Sequence, residues 1–155
     1  MKWGWLIFVA VCLISACGFF KKKPPPPPPE PTRVVVEFEA TGDINPDPEG
    51  RASPVVVRIY YLKSFSQFQK ADFISLFEND QELLGNDLIS KEEIILKPNE
   101  KRTLHSQIPD VTRAIGFLGS FRNYGEAEWR IIATVYKNKT NVVNIHVSGI
   151  RLTNR

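Results

Sequence analysis

The sequence predicts a mostly β protein, a two-sheet β-sandwich of seven or eight strands with a short helical insertion after the second strand. Short apolar or alternating segments recur from residue 33 onward, separated by clusters of Gly, Pro, Asn and Asp. Helical spacing of apolar residues is confined to one region after residue 63. The 139 residues that follow residue 16 suffice for one domain with its own core and are too few for two. Together these observations favour a single sandwich.

The first two strands are predicted from different patterns. The segment 33–40 alternates between apolar and polar residues, as in a strand with one buried face. The segment 55–62 (VVVRIYYL) is apolar at most positions, which is typical of a strand in the middle of a sheet. Between them, the segment 42–54 contains three prolines, two glycines and three acidic residues, and it predicts a long loop.

Helical signals follow the second strand. Ser64 with Gln67 three residues later fits a capping box, and the apolar residues at 65, 68 and 71 then align on one side of a helix. Asp72 is predicted to cap a second short helical turn over 73–77. Polar and glycine residues at 79–80 and 85–87 then interrupt the helical pattern.

The rest of the chain returns to β-type segments. The predicted strands are short and separated by turn-forming residues. They comprise 88–90, 93–96, 101–108, 113–121, 129–136 and one long alternating strand at 142–152, with turns at 97–100 and 138–141. This gives the count of seven or eight.

The first seventeen residues have the pattern of a secretory leader. A positive start is followed by an uncharged apolar run at 3–14 and by small residues directly before Cys17. The run is shorter than the roughly 20 residues that span a bilayer. Cys17 after Ile-Ser-Ala resembles a bacterial lipobox, whose cysteine becomes the acylated first residue. The alternative is an ordinary secretory signal, or a short anchor, with an incidental cysteine.

Between the leader and the domain lies a tether rich in lysine and proline. Lys21, Lys22 and Lys23 suit the headgroups of anionic lipids, or they keep a linker soluble. Six consecutive prolines at 24–29 predict a stiff polyproline II spacer of roughly 20 Å, with a ligand for a proline-reading groove as the alternative. The predicted organisation is a lipoprotein signal peptide at 1–16, acylated Cys17 with its tether at 17–32, and a β-sandwich at 33–155.

Composition argues against nucleic-acid binding and against catalysis. From residue 33 onward, sixteen Lys/Arg balance sixteen Asp/Glu, so a basic footprint is missing. His105 and His146 are the only histidines and lie far apart in the sequence, without ligand-type neighbours. Cys12 lies in the leader, which leaves Cys17 as the one thiol of the mature chain and permits no disulfide within it. We therefore expect no enzyme, metal or cofactor.

The loop between the first two strands is the segment most suggestive of binding. Pro46 and Pro48 stiffen the charged run 43–51, and a stiff loop loses less entropy on docking than a flexible one. The alternative is a turn that only joins two strands, with Asp43 and Asn45 capping their own backbone. The residue pattern leaves both interpretations open.

At this loop the chain resembles the TssJ/SciN family, the outer-membrane lipoproteins of type VI secretion systems. The resemblance is carried by 42–47, 50–60 and 62–64, and it extends from about residue 34 beyond residue 129. Further matching positions are Phe68, 71–73, 76–77, 84–85, 115–116, 121–122 and 129–130. The chain departs from the family pattern at Ala52, where proline is more usual, and at Tyr61, where glutamine is.

This resemblance implies a transthyretin-like sandwich with an added helical segment, no enzymatic activity, and a place in the secretion membrane complex. It implies binding to the periplasmic C-terminal domain of the inner-membrane protein TssM through the loop 42–53. The contacts predicted on this chain are Ile44, Asn45, Pro46, Asp47 and Arg51.

The resemblance also implies lipid anchoring. Acylated Cys17 would hold the protein at the outer membrane with its domain facing the periplasm, and Gly18 after the cysteine resembles the class sorted to that membrane. Neither a nucleic acid nor a small-molecule substrate is expected. The alternative function is a lipoprotein binding module, or a pilotin-like factor, for another envelope protein or a small ligand.

Overall fold

The computed structural model of the protein describes residues 25–155. These residues form eight strands and two α-helices. The strands are β1 (Arg33–Ala40), β2 (Val55–Leu62), β3 (Leu88–Leu96), β4 (Lys101–Gln107), β5 (Ala114–Ser120), β6 (Arg130–Thr134), β7 (Thr140–Ser148) and β8 (Arg151–Asn154). The helices are α1 (Ser66–Lys70) and α2 (Phe73–Leu84), followed by a 3₁₀ turn over Gly85–Asp87. The predicted signal peptide at 1–16 and Cys17 lie outside the described residues.

The strands form two four-stranded sheets, which confirms the predicted sandwich with a helical insertion after the second strand. One sheet has the order β4-β1-β7-β8 and the other β3-β2-β5-β6. All pairings are antiparallel except that of β1 with β7. Alternate residues of β1 are buried between the sheets, where the rings of Phe38 and Phe117 meet edge to face with centroids 6.1 Å apart.

Strand β2 is apolar on both faces because each face is covered. Val57 and Ile59 point into the core between the sheets. Tyr60 and Leu62 point outward, where α1 and α2 cover them and form a second, smaller core with Phe68 and Leu76. The continuous apolar run therefore marks a strand buried on both sides, as expected for a central strand.

The helical region begins differently from the sequence prediction. The capping box at Ser64 is wrong, because α1 begins at Ser66 and no side chain caps it. The Asp72 cap is confirmed, since its Oδ1 accepts a hydrogen bond from the Ser75 backbone N–H at 2.9 Å. Helix α2 then continues past residue 77 to Leu84, with a non-helical backbone at Asn79.

Two segments differ from the prediction in the number of strands that they form. Residues 88–96 form one strand, not two, because pairing with β2 continues along the whole segment. The predicted long strand at 142–152 is two strands, since Gly149 has a φ of +54° and the chain reverses there. Leu152 consequently pairs with Val147 and faces the core with it. In a single strand over 142–152, these two residues would have faced opposite sides.

The sandwich has two distinct ends. The tether enters at one end, where Thr32 lies against the turns 109–113 and 135–139, and we call this the tether end. β1 runs from there to the other end, which carries the loops 41–54, 97–100, 121–129 and 149–150 and which we call the loop end. Eight residues of strand separate the two ends by about 25 Å. Neither helix of the described chain is long and apolar enough to cross a membrane.

Candidate partner-binding site

Asn45 organises the loop 41–54. Its backbone is left-handed, with a φ of 48°, and its backbone N–H donates to the Gly149 carbonyl at 2.7 Å. Its side-chain Nδ2 donates to the Pro54 carbonyl, and its Oδ1 accepts from the Arg122 backbone N–H, both at 2.8 Å. Through its backbone N–H and its buried side-chain amide, Asn45 therefore ties the loop to the loops 149–150 and 121–129 of the loop end.

Ile44 fastens the base of the same loop. Its side chain is fully buried in the core between the sheets. Its carbonyl accepts a hydrogen bond from the Ser53 backbone N–H at 3.0 Å, which closes the loop neck. Because the neck is bonded and plugged by an apolar side chain, the loop is a built part of the domain and holds one shape.

The loop tip is closed by Asp47 and Arg51. The Asp47 N–H donates to the Arg51 carbonyl at 2.9 Å, and Asp47 Oδ1 accepts from the Arg51 N–H at 2.8 Å. The Arg51 Nε adds an ion pair to Asp47 Oδ2 at 2.7 Å. Gly50, directly before Arg51, has a φ of 80°, a conformation that glycine adopts at no steric cost.

These contacts shift the protonation of Asp47. The Arg51 backbone N–H, and then the Arg51 side chain, lower the pKa of the Asp47 carboxyl from its ordinary value of 3.8. A carboxylate with a lowered pKa stabilises the folded loop above the ordinary value and loses that effect as the pH falls through the lowered one. The tip is therefore closed throughout the neutral range.

The five predicted contact residues divide into two groups. Ile44 and Asn45 are 0% and 6% exposed, so in this fold their side chains shape the loop and offer no surface to a partner. Their predicted contact with a partner stays a prediction, and on this chain alone their observed role is structural. Pro46 and Asp47 are half-buried, and Arg51 is exposed. The exposed residues Pro48 and Glu49 lie between them at the tip and were absent from the predicted set, although their place in a proline-stiffened acidic run pointed to them.

An aromatic surface continues from the loop end onto the helical insertion. Tyr124, in the loop after β5, stacks on Phe73 with ring centroids 4.5 Å apart. Phe77 also stacks on Phe73, with ring centroids 5.6 Å apart, and the Arg58 guanidinium lies over the Phe77 ring. Tyr124 and Phe77 are about 40% exposed. Sequence reasoning missed this surface, because it joins residues about fifty positions apart.

The other candidate for ligand binding is a depression on the outer face of strands β4, β1 and β7. It has a volume of about 460 Å³ and is lined mostly by polar side chains, among them Glu37, Glu39, Lys101 and His146. Small-molecule sites are predominantly apolar, so this lining does not favour one. Within residues 25–155, no group of three or more His, Cys, Asp or Glu side chains is placed to hold a metal ion.

The role of Asn45 is testable. Asn45→Ala is expected to lower the free energy of unfolding by about 2 kcal/mol, since it removes two hydrogen bonds and leaves a left-handed backbone without its favoured side chain. The measurement is urea denaturation combined with hydrogen exchange at the Arg122 amide, which should lose protection.

Asn99→Ala is the matched control, because Asn99 also has a positive φ (60°) but is exposed. It should cost about 1 kcal/mol or less and leave the Arg122 amide protected. Equal losses in the two variants would contradict the role of the Asn45 amide.

Comparison with known proteins agrees with the fold. Residues 32–149 match the T6SS-SciN family model, described as "Type VI secretion lipoprotein, VasD, EvfM, TssJ". The T6SS lipoprotein TssJ1 from Pseudomonas aeruginosa is 34% identical, with a TM-score of 0.75 over 81% of this chain and 97% of that one. Curated proteins gave no significant sequence match.

Two further solved structures have the same fold. Serratia marcescens Lip, described as a membrane-bound component of the type VI secretion system, is 24% identical, with a TM-score of 0.74 over 81% of this chain and 96% of that one. A chain in a structure described as the TssM C-terminal domain from EAEC is 28% identical, with a TM-score of 0.66 over 79% of this chain and 99% of that one. By its family match and its fold, the chain belongs to the TssJ/SciN family of type VI secretion lipoproteins.

Proposed function

We propose that this lipoprotein is held at the outer membrane by acylated Cys17 and binds the periplasmic C-terminal domain of TssM through the loop 41–54. The observation that carries the proposal is the loop itself. It is closed at the neck by Ile44, tied to two other loops by Asn45 and closed at the tip by Asp47 and Arg51. A loop held in one conformation loses little entropy when a partner docks on it.

The comparisons support TssM as the partner. A chain similar to this one occurs in a structure described as the TssM C-terminal domain. Membership in a family of secretion lipoproteins favours a structural role in an envelope complex over a chemical reaction.

The positions of the tether and the loop at opposite ends of the domain also support the proposal. The tether joins the domain at Thr32, and the loop lies at the opposite end, about 25 Å away along β1. A lipid on Cys17 would hold the tether end toward the outer membrane and leave the loop end facing the periplasm. More than one acyl chain is needed for stable anchoring, because each buried CH₂ contributes about 0.8 kcal/mol.

The proposal is tested by the affinity for the purified TssM periplasmic C-terminal domain, measured by titration calorimetry. Arg51→Glu reverses the charge of an exposed tip residue and breaks its pairing with Asp47. We expect this variant to bind at least about tenfold more weakly, a loss of roughly 1.4 kcal/mol.

Lys70→Glu is the matched control, because it makes the same charge change at an exposed position of α1, away from the loop. It should bind like the unchanged protein. Equal binding by both variants would remove the loop from the proposal. If the unchanged protein does not bind the TssM domain, TssM is not its partner and the proposal is wrong.

A further inference from the structure

We propose that the tether end of the sandwich lies directly on the phospholipid surface of the membrane that anchors the chain. Tyr136 and Val111 would enter the interfacial layer, with Lys137 and Lys139 at the headgroups. This inference rests on the proposed lipid anchoring at Cys17. It does not depend on TssM, because it concerns the opposite end of the domain.

The tether is fixed between two turns. Thr32 is 1% exposed, and its hydroxyl donates to Asp110 Oδ1 at 2.7 Å and accepts from the Asn138 backbone N–H at 2.9 Å. Its carbonyl accepts from the Ile108 N–H at 3.0 Å. The turns 109–113 and 135–139 therefore flank the point where the tether meets the domain. An anchor on the tether therefore holds the domain by the end that carries these two turns.

Each turn exposes one large apolar side chain. Val111 is 51% exposed and Tyr136 is 64% exposed. Single exposed apolar residues are ordinary on a protein surface. These two, however, lie on either side of the tether, and tyrosine combines an apolar ring with a polar tip that suits a membrane interface. Their position relative to the anchor distinguishes them from the other exposed apolar residues.

The charges of the two turns favour anionic lipid. Arg113, Lys137 and Lys139 are exposed, and each basic residue near anionic lipid gains about 1 kcal/mol. Asp110 is the single acid in the two turns, and its carboxylate already accepts the Thr32 hydroxyl and lies 3.8 Å from the Lys137 Nζ. The loop 41–54 at the other end has the opposite balance, three acids against one arginine.

The tether is long enough for this contact. Fifteen residues from 18 to 32 span at most about 50 Å when fully extended. The stiff proline run keeps the domain away from the membrane only if the run is perpendicular to the membrane plane. If the run lies parallel to that plane, the tether end can contact the lipid. The exposed side chains and the basic residues favour this second arrangement.

The experiment measures the depth of a nitroxide label on the full acylated protein in vesicles of phosphatidylethanolamine and phosphatidylglycerol at three to one. Val111→Cys carries the label at the tether end, and Pro48→Cys, at an exposed position of the loop tip, is the reference. We expect collisions of the Val111→Cys label with a water-soluble nickel reagent to fall at least about twofold from detergent to vesicles. The Pro48→Cys label should not change.

The lysines are tested on the same label. Lys137→Glu with Lys139→Glu should restore the nickel collisions at position 111. Lys70→Glu with Lys97→Glu makes the same change in net charge at exposed positions outside the two turns and should have no effect. A label at 111 that stays as accessible as the one at 48, on protein that floats with the vesicles, would overturn the inference. So would equal effects of the two pairs of substitutions, since charge at the turns would then be irrelevant.

Flotation separates this inference from the anchoring on which it rests. The unchanged chain should float with the vesicles and the Cys17→Ser chain should not. If the unchanged chain fails to float, the lipid anchor is wrong, and the inference falls with it. If it floats while both labels remain in water, anchoring stands and only the membrane contact is wrong.

Discussion

Phe68→Ala is expected to lower the free energy of unfolding by about 3–5 kcal/mol, the range for removing a buried phenylalanine. Phe68 is fully buried between α1 and the outer face of β2 and β5. Its ring lies 5.2 Å from that of Tyr60, and it packs on the bare backbone of Gly116, where a Cβ would approach the ring to 2.6 Å. Alanine would leave a cavity that the rigid strands beneath cannot close.

The measurement is urea denaturation with the Trp129 fluorescence as the signal, since Trp129 packs against the same core. Phe65→Ala is the matched control, a phenylalanine of the same insertion that is 39% exposed. Its loss should be about 1 kcal/mol or less. Similar losses for the two phenylalanines would show that the second core does not depend on Phe68.

Asp80→Ala is expected to cost about 2–4 kcal/mol. The Asp80 carboxylate is 5% exposed and accepts two hydrogen bonds from the Lys91 Nζ, at 2.6 and 2.8 Å, and one from the Tyr60 hydroxyl at 3.1 Å. The Arg58 guanidinium is 3.8 Å away. Without the carboxylate, these donors lose their shared acceptor in a poorly hydrated place. The expected loss of free energy of unfolding is smaller than that for a fully buried ion pair, because the Lys91 side chain is 36% exposed and solvent screens its charge.

Two variants serve as controls for Asp80→Ala, and both use the same urea assay. Glu78→Ala removes an exposed acid from the same helix and should change the free energy of unfolding by no more than about 0.5 kcal/mol. Asp80→Leu with Lys91→Met replaces the pair by apolar side chains and should recover part of the loss. If Asp80→Ala unfolds like the unchanged protein, the cluster does not hold α2 to the sheet.

Phe68 and Asp80 act on the insertion, whereas the proposed partner surface depends on Asn45. The two parts are therefore separable by experiment. At a urea concentration where each variant remains folded, Phe68→Ala and Asp80→Ala should leave the Arg122 amide protected from exchange. That amide is bonded to Asn45 and lies at the loop end, away from both substituted residues.

Local patterns predicted most of the strands. β1 was predicted with its observed bounds because only one face of an alternating segment is apolar, and that face must be the buried one. β2 was predicted because an apolar run of eight residues suits a strand covered on both faces. The long strand at 142–152 was wrong, since one glycine with a positive φ reverses the chain without interrupting the apolar pattern.

In the helical insertion, too, one local prediction was confirmed and another was wrong. Asp72 was predicted as a cap because the bond that it accepts comes from a residue three positions later. The cap at Ser64 failed, although its spacing was equally good. Helix α1 begins at Ser66 without a side-chain cap, and its Phe68 packs against Gly116, which lies 48 positions away in the sequence.

The sequence by itself determined the class of fold, the family resemblance, the leader-like pattern around Cys17 and the presence of a stiff, charged loop between the first two strands. These features depend on residue types and on spacings within a few positions. The tertiary structure decided what each residue of that loop does. Ile44 and Asn45 were predicted as contacts, yet they are buried, because one fills the core and the other bonds to Arg122, 77 positions away. Burial and long-range hydrogen bonds depend on which distant segments the fold brings together, and a local pattern carries no record of that.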